Sequence, residues 1–229
     1  MAGEFSVTPI FVELGASVRS GVISVKNDGK DKLSFQLDAM EWTQDAAGKD
    51  QYAETRDLVF FPKIMTVEPD QEGVIRVGAK NTVLPSEKTY RLFIQELPGA
   101  TTNSEAGGVQ IKVLVRFGAP IFVGPVKAQD GLKIEGLSLA KGALNFSVRN
   151  TGNRHQIVQD IQLKGADASG KQVYALTLAD RYLLAGTTKA YASSVATDQC
   201  SKIASLEVEV KTDKAGATHK LDVSRAMCP

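Results

Sequence analysis

Apolar residues that recur at every second position, in short runs broken by Gly, Pro, Asn and Asp, most narrowly limit what this chain can fold into. The clearest run is Val109–Phe117. There Val109, Ile111, Val113, Val115 and Phe117 alternate with Gln110, Lys112, Leu114 and Arg116. Strand side chains point alternately to two faces, so this run makes one apolar face and one largely polar face. Leu33, Phe35, Leu37 and Ala39 repeat the pattern, and Val22–Lys26 and Val74–Val77 are shorter versions of it. Phe5–Val12 is a strand whose Pro9 marks an edge or a kink. Turn signals separate these runs: Asn27-Asp28-Gly29, the polar stretch Asp45–Asp50 with Gly48, Pro62 and Pro69.

The same texture returns in the second half. The stretch "ISVKNDG" at Ile23–Gly29 is echoed by "FSVRNTG" at Phe146–Gly152. Further strands are expected at Ile157–Leu163, Gln172–Leu178, Ala190–Val195, Ile203–Val210 and His219–Val223. Many short strands with few helical patterns indicate an all-β protein built of sandwiches. The 229 residues suffice for two such domains. They are expected at 1–121 and 122–229, with "GAPIFVGP" (118–125) as a short linker. Thr89–Leu97, "TYRLFIQEL", fits two patterns. Tyr90, Phe93, Ile94 and Leu97 make a helical stripe, while the residue types favour a strand.

Composition narrows the function. The formal net charge is +1, without the basic excess of a nucleic-acid binder. No apolar run approaches the length of about 20 residues that a membrane-spanning helix needs. Met1-Ala2-Gly3-Glu4 has neither a charged nor an apolar leader region, as in a cytosolic protein or a mature chain carrying an added start Met. Cys200 and Cys228 allow one pairing. They read equally as two buried thiols or as one disulfide of an oxidising compartment.

No catalytic chemistry stands out. His155 and His219 lack metal-ligand spacing, and no Gly-rich phosphate loop or nucleophile elbow is present. The chain is therefore expected not to be an enzyme and to need no metal or cofactor. All-β proteins of this kind recognise partners through loops or sheet edges. One such reading is a two-domain immunoglobulin-like adhesion or cell-surface binding protein.

Several stretches together resemble the PapD-like periplasmic chaperones of the chaperone–usher family: "GVISVKNDG" (Gly21–Gly29), "FFPKIMTVEPDQEGVIRV" (Phe60–Val77) and "YRLFIQELP" (Tyr90–Pro98), then a polar loop and the alternating run. "LNFSVRNTGN" (Leu144–Asn153) and "LLAGTTKAY" (Leu183–Tyr191) fit the family's second domain more loosely. The resemblance implies two immunoglobulin-like sandwiches in a boomerang arrangement and a periplasmic location. Its partners would be pilus or fimbrial subunits and an outer-membrane usher, with no nucleic acid and no membrane insertion. It also implies that Thr89–Leu97 is a strand, hairpinned to Val109–Phe117.

In that family the chaperone lends a strand to a subunit whose own sandwich lacks one. Val109, Ile111, Val113 and Val115 are the residues that would fill the subunit's groove, with burial contributing about 1.5–3 kcal/mol per side chain before ordering costs. β-branched side chains suit this because they are already stiff. Two basic residues in the family grip the subunit's terminal carboxylate and so fix the register. Arg116 matches one of them. The first strand, Ser6–Leu14, carries no basic residue, so Arg91 is assigned the second role, opposite about position 115. Lys112 shares the Arg116 face but lies four residues, about 13 Å, away. The loop before the alternating run has no cysteine, as in the short-loop or archaic branch. A periplasmic location implies a Cys200–Cys228 disulfide. An apolar edge strand also invites self-association.

Overall fold

The structure, a computed structural model, describes residues 3–45, 47–99 and 113–228. Strands dominate, and the chain divides into two compact units. One comprises Met1–Thr43 and Tyr52–Val126, the other Gln44–Gln51 and Lys127–Pro229. Both are immunoglobulin-like β-sandwiches.

The first sandwich contains β1 (Phe5–Thr8), β2 (Val12–Leu14), β3 (Ser20–Asn27), β4 (Leu33–Gln44), β5 (Asp50–Glu54), β6 (Leu58–Phe61), β7 (Ile64–Val67), β8 (Glu72–Ala79), β9 (Lys88–Glu96) and β10 (Arg116–Val123). One sheet has the order β1-β3-β8-β6; the other runs β2-β10-β9-β4-β5, with β7 also on β4. The expected strand around Pro9 is two strands. β1 pairs antiparallel with β3 in the first sheet, and β2 pairs parallel with β10 in the second. Alternation delivers the core: Ile23 and Val25 of β3, Phe35 and Leu37 of β4, Ile75 and Val77 of β8, and Leu92 and Ile94 of β9 are all buried.

Residues 118–125, expected to be a linker, instead supply most of β10, and Ala119, Ile121 and Val123 close the core. Gly118 and Pro120 mimic a linker, yet each has a place in the strand. β2 joins β10 only from Ile121 onward, so Pro120 falls on an edge stretch where a missing N–H is tolerated. Gly118 allows a close approach described below. Thr89–Leu97 resolves as a strand between β4 and β10, and on the β10 side its partners are Arg116–Val123.

The second sandwich is built from β11 (Leu132–Ala140), β12 (Ala143–Asn150), β13 (Gln156–Ala166), β14 (Gln172–Leu178), β15 (Tyr182–Leu183), β16 (Thr188–Ser194), β17 (Ser205–Thr212) and β18 (Gly216–Asp222), with a one-turn helix α1 (Thr197–Cys200). Its sheets run β11-β12-β16 and β14-β13-β17-β18, with β15 on β13. Lys141 and Gly142, both at positive φ (49° and 75°), form the two-residue turn between β11 and β12. That conformation matches the right-handed twist of paired strands. Phe146, Val148, Ile161, Leu163, Val208 and Val210 fill the core. Cys200 and Cys228 form a disulfide, with Cα atoms 5.7 Å apart, that ties the C-terminal segment to α1.

Each sandwich carries the same polar device on a Lys-x-Tyr strand. In the first, Lys88 Nζ (2.8 Å) and the Tyr90 hydroxyl (2.9 Å) both donate to Asp57 Oδ2. In the second, Lys189 Nζ donates to both oxygens of Asp180 (2.9 Å to Oδ1, 3.2 Å to Oδ2) and the Tyr191 hydroxyl donates to Oδ2.

Candidate functional site

The inward residues of β9 are Tyr90, Leu92, Ile94 and Glu96, so Arg91, Phe93 and Gln95 point outward. Across β10 the register sets Arg116 opposite Gln95, Gly118 opposite Phe93 and Pro120 opposite Arg91. On the other side, β4 sets Asp38 opposite Phe93 and Met40 opposite Arg91. Arg116 and Arg91 thus share the outer face of this sheet, with the Phe93–Gly118 pair between them. The expected partner of Arg91 was about position 115, within reach of Arg116; the register instead sets it opposite Pro120, four residues or about 13 Å along β10 from Arg116.

Each guanidinium lies over an aromatic ring. Arg116 Cζ is 3.8 Å from the Phe93 ring centroid, and Arg91 Cζ is 3.9 Å from that of Trp42. Arg91 Nη1 also donates to the Gly118 carbonyl at 3.0 Å. Tyr52 meets Phe93 edge-on, with ring centroids 5.3 Å apart at 77°. Trp42 packs 6.1 Å from Phe122, on the same sheet. Stacking covers one flat side of a guanidinium and holds the orientation of its in-plane N–H fork.

At the inner end of β9, Glu96 is buried and grips Val115 twice. Its backbone N–H donates to the Val115 carbonyl at 2.9 Å, and its Oε2 accepts the Val115 N–H at 3.3 Å. The Gly3 N–H donates to the same oxygen at 3.4 Å. Just before this clamp, Val113 is 56% exposed and Val115 half-buried. Of the other residues expected on this apolar face, Val109 and Ile111 lie outside the described residues, as does Lys112.

Burial, and then the hydrogen bond to Asp57, pushes the Tyr90 phenol far above its ordinary pKa. Hydrogen bonds from Lys88 and Tyr90 hold the Asp57 carboxyl below its ordinary range. These groups brace the strand that carries Arg91 and Phe93. Among the described residues, no three His, Cys, Asp or Glu side chains are placed to share a metal ion. His155 is buried beside the Tyr182 ring and His219 is exposed on β18.

Sequence reasoning did not single out Phe93, Trp42, Gly118 or Glu96. One signal was available for Gly118, since glycine inside a strand marks a close approach. For Glu96 it was parity, because that residue continues the inward series Tyr90, Leu92, Ile94.

The fold is that of a two-sandwich protein whose first domain ends on an arginine-bearing strand. Residues 4–129 match the family model of the pili and flagellar-assembly chaperone, PapD N-terminal domain. The chain belongs to this family of PapD-like pilus-assembly chaperones, which are not enzymes. It is similar in fold to a chain of the CsuC–CsuE chaperone–tip subunit pre-assembly complex from archaic chaperone–usher Csu pili of Acinetobacter baumannii. The TM-score is 0.63 at 18% identity, covering 95% of this chain and 97% of the other. A chain of the Salmonella enterica SafA pilin–SafB chaperone complex gives 0.61 at 12% identity, covering 96% and 97%. The Pseudomonas aeruginosa CupB2 chaperone gives 0.53 at 18% identity, covering 95% and 100%. A search of curated proteins finds no match.

Proposed function

We propose that the protein is a periplasmic chaperone that binds pilus subunits by lending them residues 109–115, and then delivers them to an outer-membrane usher. Val109, Ile111, Val113 and Val115 fill the open groove of the subunit, while the backbone of the lent strand satisfies its unpaired N–H and C=O groups. The observation that carries this reading is the split at Val115. Beyond it, β10 closes the sandwich with Ala119, Ile121 and Val123; before it, Val113 of the same apolar alternation stands exposed.

Arg116 receives the subunit's terminal carboxylate; Arg91, on the same face but opposite Pro120, four residues farther along β10, adds positive charge at longer range. For the usher, the candidate contact lies on the other sheet of the first domain. There Val22, Arg76 and Phe61 stand side by side across β3, β8 and β6, flanked by Val59 and Val74, and Phe61 is 72% exposed. Delivery needs two surfaces that do not overlap, and these two lie on different sheets.

The test is co-expression with a candidate pilin followed by pull-down. Ile111→Asp together with Val113→Asp is expected to abolish the complex while leaving a folded chaperone. Recovery of the complex at the wild-type level would refute the lent strand.

A further inference from the structure

We propose that Phe93 is a positioning residue that presents Arg116 to a carboxylate, and that Gly118 makes this possible. The inference rests on the reading of Arg116 as the carboxylate anchor. Phe93 is a large apolar residue on the outward face of β9, where burial in the sandwich's own core does not explain it. Its ring instead lies beneath the Arg116 guanidinium, 3.8 Å from Cζ. Tyr52 abuts it edge-on and limits its rotation.

The ring can lie against β10 because residue 118 has no side chain. A Cβ there would stand 3.1 Å from Phe93 Cε1 and 3.3 Å from Cδ1, tighter than ordinary van der Waals contact, so the ring would have to shift. Phe93, Gly118 and Tyr52 therefore form one unit that fixes where the guanidinium sits before any ligand arrives. An unstacked arginine samples many rotamers and loses that freedom on binding, whereas a stacked one keeps its N–H fork pre-aimed. The chemistry recognised is a carboxylate at the end of an extended peptide, and Phe93 touches the arginine but not the ligand.

The test uses the full-length protein and one synthetic strand peptide of alternating Val and Thr, prepared with a free C-terminal carboxylate and as its amide. The quantity read is the ratio of the two affinities. Wild type is expected to favour the acid by about tenfold or more, as a charge-assisted pair does. Phe93→Leu is expected to lower that ratio at least about threefold, the size of an exposed cation–π contact, with affinity for the amide unchanged. Phe93→Tyr should restore the ratio, and Gly118→Ala, which keeps the Phe93 ring but pushes it aside, should lower it independently. A merely structural role would weaken binding of both peptides alike. If Arg116→Ala abolishes the preference but Phe93→Leu and Gly118→Ala both keep it in full, the positioning role is overturned. If wild type shows no preference, or Arg116→Ala retains it, the anchor reading fails instead.

Discussion

Asn27 and Asn150 do the same work in two separate sandwiches. Each ends a core strand, β3 or β12, and each is fully buried. Each Nδ2 donates at 2.8 Å to the carbonyl four residues on, Asp31 or Arg154, and at 3.0 Å to a distant one, Val67 or Leu183. Each Oδ1 accepts the N–H of the glycine two residues on, Gly29 at 3.0 Å and Gly152 at 2.9 Å. The asparagine thus closes its turn and ties it to a neighbouring strand. Asn27→Ala and Asn150→Ala each leave buried carbonyls unpaired and are expected to cost about 1–3 kcal/mol. Urea unfolding checks this. A change below experimental error for both would show that water replaces the amide at no cost.

Arg116→Ala is expected to weaken subunit capture more than Arg91→Ala. Arg116 is exposed at the start of β10, whereas one Arg91 N–H is already used by the Gly118 carbonyl. Pull-down titration against one pilin ranks the two, and the reverse order would make Arg91 the principal anchor.

Phe61→Asp places a charge in the exposed apolar face of the first sheet without touching the core. Subunit capture is expected to be unchanged while binding to purified usher falls. Equal usher binding would remove this face from delivery.

Replacing Cys200 and Cys228 by Ser is expected to lower the stability of the second domain by about 2–4 kcal/mol, the usual range for such a link. Reductant should lower the wild-type unfolding midpoint toward that of the double variant and leave the variant where it is. A wild-type midpoint indifferent to reductant would mean that the link adds little.

Acid should destabilise the first domain through Asp57. Its folded pKa is depressed, first by the hydrogen bond from Lys88 and then by that from Tyr90. The stability it contributes is therefore complete above the unfolded value of about 3.9 and is lost as pH falls through the lower, folded value. Unfolding midpoints measured from pH 6 down to pH 3 should drop in the lowest part of that range, and less so in Asp57→Asn. Parallel curves for the two proteins would dissociate Asp57 from the acid response.

Alternation and turn chemistry made the strands legible, and the Asn-x-Gly echo marked both turns before their hydrogen bonds were known. Most of the failures share one physical origin: residues that serve the outer face of β9 and β10. Phe93 is apolar and outward, so it breaks the period-two pattern and completes a helical stripe with Tyr90, Ile94 and Leu97. Gly118 and Pro120 read as chain breakers because pattern cannot show that one admits a ring and the other lies on an edge. The pairing of Arg91 depends on where β10 starts, and local composition does not encode that point. Arg116 could be named from sequence, but the ring beneath it could not.

The end of the first sandwich divides its labour at Val115. The residues that complete the domain's own interior come after it, and Val113, the described residue of the same alternation before it, stands exposed. On the proposed function, a carrier wired this way would keep its fold whether loaded or empty. Cargo would then leave without the vehicle unravelling, and the same molecule would be ready for another round.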